Sequence, residues 1–454
     1  MSLGLNKNIS IAPLVVLRIL FGLILSISLF RFIYKGWVYD CYVLPKFHFK
    51  FYGFSWIEPL GELGMYTLFV LMIIASVMIM IGYLYRLAIL FFFLSFTYTE
   101  LIDVTYYLNH YYFISLLSFL LIFLPADRYF SIRAWLNPTE KIFLIPTWMI
   151  YSLKLMIAIL YIFAGLAKVN SDWLFNAMPL ILWLPPHAHL PIIGPLLIYK
   201  ETAYIMSWVG CLYDLFVVFF LLKNKTRLIA YMFVIVFHLS TAMFFQIGMF
   251  PYIMILLTLL FFSESFHKRL IFLISGLLPF GNNKEHDFIG DNIYRTDVRF
   301  IKLFFVLFFV LQLIIPFRYI LYPGNLFWTE QGYRFSWRVM LMEKSGYTQF
   351  KIKDKTKGGS IVVDHSEYLT PLQEKMMSTQ PDLILQYAHF LKKEFDGKRI
   401  LDTIIIKDPA IYVDAYVSLN GRSSQLFIDP NIDLSLLSES FKHKDWVLQI
   451  KPNI

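Results

Sequence analysis

The chain has 454 residues, of which 58% are hydrophobic and 16% are charged, and its mean hydropathy is +0.62. This apolar content exceeds what the core of a soluble protein can bury, so it excludes an ordinary soluble fold and predicts a polytopic α-helical membrane protein. The net charge of +9 does not indicate a nucleic-acid partner, because the basic residues lie mostly in short loops beside apolar segments.

Apolar segments long enough to cross a bilayer recur along the first two thirds of the chain. A span needs about 20 apolar residues, because each residue of a helix rises ~1.5 Å and the hydrocarbon layer is ~30 Å thick. The first segment is too long for a signal-peptide core, so we predict that it is retained. A short segment at 250–263 also fits a re-entrant helix. We predict about eight or nine membrane-spanning helices, near 11–34, 63–84, 87–107, 111–127, 144–168, 203–222, 228–247, 250–263 and 300–320.

Basic residues near the helix ends predict the orientation. If the N-terminus is cytoplasmic, the loops on the inner side hold Arg86, Arg128, Arg133, Lys223 and Lys268. Cytoplasmic loops of membrane proteins carry this excess of Lys and Arg. With nine crossings, the chain after the last helix is then extracytoplasmic.

The composition changes after Pro323. Charged residues become frequent, as in KIKDKTKGG at 351–359, and short apolar stretches alternate with polar residues, as in AIYVDAYVSL at 410–419. These patterns predict a membrane domain at 1–322 and a mainly-β soluble domain at 323–454, with a helix near 381–396. The two cysteines, Cys41 and Cys211, are too few for a disulfide framework.

Lys168 ends a long apolar run, LYIFAGLAKVNSDWL at 160–174. A charged group within a span costs at least ~2.5 kcal/mol, so its presence needs a reason. A lone lysine at the outer boundary of the bilayer is usually an anchor that reaches to the head groups. Asp172, at i+4, is suited to a structural ion pair with it.

Two histidines are predicted on the same side as Lys168. His110 lies in the tight turn LNHYY, where a site and an interfacial belt of tyrosines explain it equally well. His238 lies in FHLSTAMFFQIGMF at 237–250, where a hydrogen bond to a neighbouring helix also explains it. Three polar features on one face of the bilayer indicate a site. No metal site is predicted, because His187 and His189 lack a third ligand at a suitable spacing.

These segments resemble the vitamin K-dependent γ-glutamyl carboxylases and their bacterial relatives, the HTTM membrane proteins. FAGLAKVNSDWL, FHLSTAMFFQIGMFPY and LNHYY are similar to three membrane segments of that family. In the outer domain, WTEQGYRFSW at 328–337, QYAHFL from 386 and YVDAYVSLNGRSSQLFIDPNIDL from 412 follow in the family's order. The similar blocks extend from near residue 15 to residue 434, which covers almost the whole chain. The relatives imply a bacterial inner membrane protein.

The resemblance implies a lyase that couples oxygenation of a quinol, vitamin K hydroquinone or menaquinol, to carboxylation of a peptidyl glutamate. The co-substrates would be O₂ and CO₂, and the partners a glutamate-containing peptide and membrane lipid. No side-chain base removes the γ-hydrogen of glutamate at a useful rate, so the cofactor performs the hard chemistry. In the family a lysine amine deprotonates the hydroquinone, oxygen adds, and the resulting alkoxide takes the γ-hydrogen while the quinone leaves as its epoxide.

Site residues are implied by the same resemblance. Lys168 falls on the family's catalytic base and His110 on the histidine that stabilises charge. An ammonium at the edge of the apolar layer is costly, which favours a fraction of free amine. The aromatic residues of the outer domain serve equally well to pack that domain onto the membrane. The predicted cofactor-binding residues are Asn109, His238, Gln246, Met249 and Phe250, and the predicted substrate-binding residues are Trp328, Tyr333 and Trp337.

Departures from the family bear on the peptide substrate more than on the quinol chemistry. Phe390 stands where the carboxylase has the second cysteine of its interdomain bridge, and Asn431 stands where the animal enzyme has an arginine. The sequence also ends before the animal enzyme's C-terminal extension. Two alternatives therefore stay open: a quinol epoxidase or oxygenase without peptide carboxylation, and a non-catalytic transporter or scaffold, although no inverted repeat supports transport.

Overall fold

The computed structural model describes residues 7–245, 247–276, 292–294, 299–355, 359–400 and 404–451. Within these ranges, seven helices are long and apolar enough to cross a membrane, and two shorter apolar helices accompany them. The predicted fold class, a polytopic α-helical membrane protein with a C-terminal β-containing domain, is confirmed, while the count of eight or nine spans requires the two shorter helices to cross as well. The helices are α1 (Ala12–Tyr34), α2 (Gly61–Ile81), α3 (Tyr85–Ile102), α4 (Asn109–Ile122), α5 (Thr147–Lys168), α6 (Lys200–Leu222), α7 (Arg227–Phe244), α8 (Phe250–Thr258) and α9 (Arg299–Ile314).

Several helices end earlier than their apolar patterns predicted. The structure ends α4 at Ile122, whereas the pattern continued to residue 127, and it ends α3 at Ile102. The run beyond α3 is interrupted by Asp103, which is extended and whose side chain accepts a hydrogen bond from Thr105 N. Apolar composition continues through such turns, so hydropathy alone does not locate the ends of these helices.

The N-terminal and middle parts of the membrane domain meet through two short strands. β1 (Asn8–Ser10) pairs antiparallel with β2 (Leu144–Pro146), directly before α1 and α5 begin. Within the bundle, α1 and α2 pack closely because Gly22 has no side chain. A Cβ at Gly22 would lie 2.6 Å from the backbone nitrogen of Met80.

A four-stranded antiparallel sheet forms the centre of the C-terminal domain, in the order β4 (Ser360–Val362), β3 (Lys344–Asp354), β7 (Pro409–Leu419) and β8 (Gln425–Leu426). A separate pair, β5 (Arg399–Ile400) and β6 (Ile404–Ile405), lies outside this sheet.

The sheet and the helices of this domain share one core. Alternate residues of β7 are buried, from Ile411 to Leu419, which is the period of a strand with one face in a core. That face packs against α11 (Pro381–Phe395), which follows α10 (Pro371–Met377). The mainly-β domain and its helix near 381–396 are thus confirmed, while the boundary at 322/323 stays a prediction.

The C-terminal domain packs on the loops at one end of the membrane helices. Gln386 of α11 exchanges two hydrogen bonds with the backbone of Lys50, each 2.9 Å long. Gln373 of α10 donates to Asp103 after α3, at 2.8 Å. Trp183, after α5, donates to Glu343 at 2.6 Å. These bonds place the domain over the helix ends that carry Lys168 and His110.

Candidate functional site

An apolar cavity of about 100 Å³ lies between α5, α6 and α7, at the end of the bundle that the C-terminal domain covers. The polar side chains that line it include Lys168 from α5, Asp214 from α6, and His238 and Thr241 from α7. Residues 339 and 340 of the C-terminal part close it from above. The aromatic side chains of its walls are Tyr161, Trp173, Trp183, Phe237, Phe245 and Phe250.

Lys168 forms a buried ion pair with Asp214. Its Nζ donates to Asp214 Oδ2 at 2.7 Å, and the two side chains are only 8% and 7% exposed. The ammonium also lies 5.4 Å from the centre of the Trp173 ring. The carboxylate partner of Lys168 therefore comes from a neighbouring membrane helix.

Close packing of α5 on α6 brings the two charges together. A Cβ added at Gly165 would lie 2.8 Å from the backbone nitrogen of Leu215. Glycine is therefore needed where the two helices touch, one turn from Lys168 and next to Asp214. The small residue allows the backbones to approach, as is common between membrane helices.

His238 and His110 lie on either side of one aromatic ring. The His238 Nε2 and the Tyr161 hydroxyl share a hydrogen bond of 2.7 Å, while His238 Nδ1 has no hydrogen-bond partner among the described residues. Phe250 meets His238 edge-on, with ring centres 6.0 Å apart, and stacks on His110 at 5.6 Å. His110 is buried behind Phe250, and it does not line the cavity that Lys168 lines.

The remaining predicted cofactor-binding residues have different positions. Asn109 donates to the backbone carbonyl of Arg338 at 2.9 Å and accepts from the Tyr107 hydroxyl at 3.2 Å, so it holds the segment above the cavity. Met249 caps the start of α8 and packs into the membrane core. Gln246 lies outside the described residues.

The three predicted substrate-binding aromatics make packing contacts and do not line this cavity. Trp328 is 1% exposed, and its Nε1 donates to Leu448 O at 2.7 Å. Trp337 is fully buried against Tyr112 of α4, with ring centres 5.0 Å apart. Tyr333 rests near the Phe327 ring at 6.3 Å. A role for them in binding substrate stays a prediction.

The predicted ion pair between Lys168 and Asp172 is wrong. α5 ends at Lys168, and Asn170 is extended and caps a new short helix, Ser171–Asn176. Lys168 and Asp172 therefore do not belong to one continuous helix, and the Asp172 carboxylate does not contact Lys168. Asp172 instead accepts two hydrogen bonds from Arg422, at 2.6 and 2.7 Å, and one from Asn420 at 2.8 Å.

The Asp172 carboxylate therefore fastens the C-terminal domain to the end of α5, and this contact should depend on pH. Burial raises the pKa of Asp172, but the hydrogen bonds from Arg422 and Asn420 outweigh it and hold the pKa below its ordinary value. A lowered folded-state pKa stabilises the protein above the unfolded-state pKa of about 3.9, and the contribution disappears as the pH falls through the folded-state value. Asp172→Asn should thus lower stability at neutral pH, and the difference from wild type should shrink below about pH 4.

Unfolding temperatures of the two proteins across this pH range test the prediction, because other carboxylates titrate equally in both. A difference that stays constant down to the lowest pH would contradict it.

Asp214 is the residue that sequence reasoning missed. It stands in CLYDLFVVFF, inside an apolar run, where an acidic residue is itself a sign of function. Met340 and Val339 were also missed, and no local signal identifies them, since their position depends on how the C-terminal domain docks. Cys41 and Cys211 are both free.

A lysine–carboxylate pair in an apolar cavity, beneath a β-rich domain that caps the bundle, defines a polytopic membrane protein with a buried polar site. Residues 6–266 match the HTTM domain, and residues 297–453 match the lumenal domain of vitamin K-dependent gamma-carboxylase. The chain therefore belongs to the HTTM family, in its gamma-carboxylase-like branch. The lumenal character of the second domain indicates that the C-terminal domain is extracytoplasmic. No solved structure was found to match the chain.

Proposed function

We propose that this protein is a vitamin K-dependent γ-glutamyl carboxylase-like enzyme, in which Lys168 is the base that activates a quinol. The observation that carries the proposal is the ion pair of Lys168 and Asp214 in the wall of an apolar cavity. Buried ionisable groups within membrane helices are rare and mark functional sites. The family membership supplies the reaction class.

The side chains around the cavity suit a quinol. Aromatic walls favour a flat apolar ring, Lys168 offers a base for a ring hydroxyl, and the free Nδ1 of His238 offers a hydrogen bond to a ring oxygen. The volume of about 100 Å³ is smaller than that of most ligand sites, so aromatic side chains such as Phe237 and Phe245 have to move to admit the ring. When bound, the cofactor supplies the strong base that the γ-hydrogen of glutamate requires.

Asp214 has a defined part in this proposal. Lys168 accepts a proton only as the free amine, so its ammonium must first release one. The 2.7 Å contact between Nζ and Asp214 Oδ2 gives that proton a place to go within the cavity. Transfer of this proton converts the ammonium–carboxylate pair into a neutral amine and a neutral carboxylic acid, without a proton exchange with bulk water. His110, behind Phe250, supports the position of α8 and of that ring.

The covering domain keeps the chemistry away from water. Val339 and Met340 close the cavity on the extracytoplasmic side, and Trp173 packs beside the ammonium. Exclusion of water strengthens the electrostatic interactions of the pair and protects a reactive carbanion from protonation. We propose that a glutamyl side chain of a peptide reaches the site from this side, with O₂ and CO₂ as co-substrates. On this proposal the two shorter helices cross together with the seven longer ones, so the N-terminus lies on the cytoplasmic side, and the membrane is a bacterial inner membrane.

Membranes that contain the protein should fix labelled bicarbonate into a glutamyl peptide when they receive a reduced naphthoquinone and oxygen. The label should be stable in the peptide as γ-carboxyglutamate, and omission of the quinol or of oxygen should prevent its incorporation. Membranes without the protein are the control. Absence of incorporation across a series of peptides and quinones would contradict the proposal.

A second candidate is a quinol oxygenase that does not carboxylate peptide. The packing of Trp328 and Trp337 favours it, because the aromatic residues that the family resemblance assigns to glutamate are buried away from the cavity. Quinone epoxide that forms without glutamate, at a rate that added peptide does not change, would support this candidate over carboxylation.

A further inference from the structure

A second cavity, of about 500 Å³, lies on the opposite face of α5 from Lys168. Its walls are the end of α5 and the two residues after it, from Phe163 to Asn170, the 3₁₀ helix Ile315–Leu321 that continues α9, and the chain from 324 to 338. It therefore sits between two membrane helices at the level where the apolar layer ends. Nothing in the proposed reaction uses it.

Arg338 is a buried cation in the wall of this cavity. Arg338 is only 8% exposed, and its Nε has no hydrogen-bond partner among the described residues. Its guanidinium carbon lies 4.5 Å from the centre of the Tyr319 ring, and the phenols of Tyr319 and Tyr333 are its polar neighbours. Within the described part of the chain, no carboxylate lies within ion-pair distance of it.

Other buried cations nearby are neutralised by carboxylates. Arg334 pairs with Asp382 at 2.5 Å, and Lys344 pairs with Glu330 at 3.0 Å. A buried charge without a counter-charge is strongly unfavourable. Arg338 differs from these neighbours in facing a cavity large enough for a ligand, so an anion from outside the chain would complete its environment.

The rim of the cavity indicates what kind of anion this is. Leu166, Phe317 and Ile320 line it and are 45%, 48% and 67% exposed, so apolar side chains face the lipid beside a cationic interior. A polar floor with an apolar exit towards the bilayer suits an amphiphile, whereas a soluble peptide would meet this rim only through lipid. The planar fork of an arginine matches a phosphate group.

We propose that this cavity binds an anionic membrane phospholipid, whose phosphate contacts Arg338 and whose acyl chains leave across Leu166, Phe317 and Ile320. The inference does not depend on the proposed carboxylation. It does bear on the first site, because Arg338 is two residues from Met340, which covers the Lys168 cavity.

Thermal unfolding of the purified full chain in a neutral detergent tests this proposal. Phosphatidylglycerol should raise the unfolding temperature of the wild type saturably and more than phosphatidylcholine does, because a ligand that binds the folded state stabilises it. Arg338→Gln should lose the additional shift, and Arg338→Lys should keep part of it. Lys442→Gln removes the same charge from an exposed position of the same domain and should respond as the wild type does.

Native mass spectrometry provides a second measurement that also serves if Arg338→Gln folds poorly. The spectra should show phosphatidylglycerol still bound to the wild type and to Lys442→Gln. The lipid-bound fraction of Arg338→Lys should be smaller. Equal shifts with both lipids, or an undiminished shift in Arg338→Gln, would overturn the proposal. An Arg338-dependent shift with a glutamyl peptide, and none with phosphatidylglycerol, would overturn it in favour of a peptide site.

Discussion

Lys168→Ala should abolish carbon dioxide fixation. The alanine removes the one amine that lines the cavity among the described residues, and a positioned base contributes about 10² to 10⁴ in rate. Epoxide formation should fall with carboxylation, because both follow from activation of the same quinol. The measurement is incorporation of labelled bicarbonate, together with epoxide, at equal amounts of folded protein.

Lys154→Ala is the matched control for this prediction. Lys154 lies on the same helix but away from the cavity, with its ammonium 5.6 Å from the centre of the Phe261 ring. It should keep most of the activity of the wild type. A Lys168→Ala protein that fixes carbon dioxide at the rate of Lys154→Ala would remove Lys168 from the mechanism.

Asp214→Asn should be the most destabilising single change at the site. It leaves the Lys168 ammonium buried without its counter-charge, which costs about 3 to 5 kcal/mol of unfolding free energy when one partner of a buried pair is removed. Lys168→Met combined with Asp214→Asn removes both charges, and such replacements are often neutral or stabilising. The double variant should therefore unfold close to the wild-type temperature although the single variant does not.

A double-mutant cycle of unfolding temperatures and activities separates the two roles of the pair. The strong non-additivity of stability is expected because the two side chains are in direct contact. The double variant should be folded and inactive, which would show that removal of the pair abolishes activity without loss of the fold. Stability effects of the two single changes that simply add would contradict the ion pair.

The fold was largely predictable because each membrane helix corresponds to a long apolar run in the sequence. The site was predictable only where a polar residue interrupts such a run, as Lys168 does, and where the family's motifs name it. Asp214 carries the same kind of signal, yet its pairing with Lys168 joins residues 46 positions apart and depends on the packing of α5 against α6. The partner of Asp172 lies 250 residues away, so local spacing could not identify it.

The pairing of Lys168 with Asp172 failed for a specific physical reason. An i+4 rule assumes a continuous helix, and the cap at Asn170 breaks that continuity. The Asp172 carboxylate then contacts the C-terminal domain, and the Asp214 carboxylate pairs with Lys168 in the cavity.

The contact at Gly165 has a consequence for proton transfer. The backbone nitrogen of Leu215 occupies the space that a methyl group at Gly165 would need. The axes of α5 and α6 can therefore lie this close together only because residue 165 has no side chain. The 2.7 Å between Lys168 Nζ and Asp214 Oδ2, which is the transfer distance in the proposed mechanism, thus depends on a residue that carries no reactive group. Any bulk at position 165 acts as a spacer between donor and acceptor, and proton transfer is steeply sensitive to such spacing.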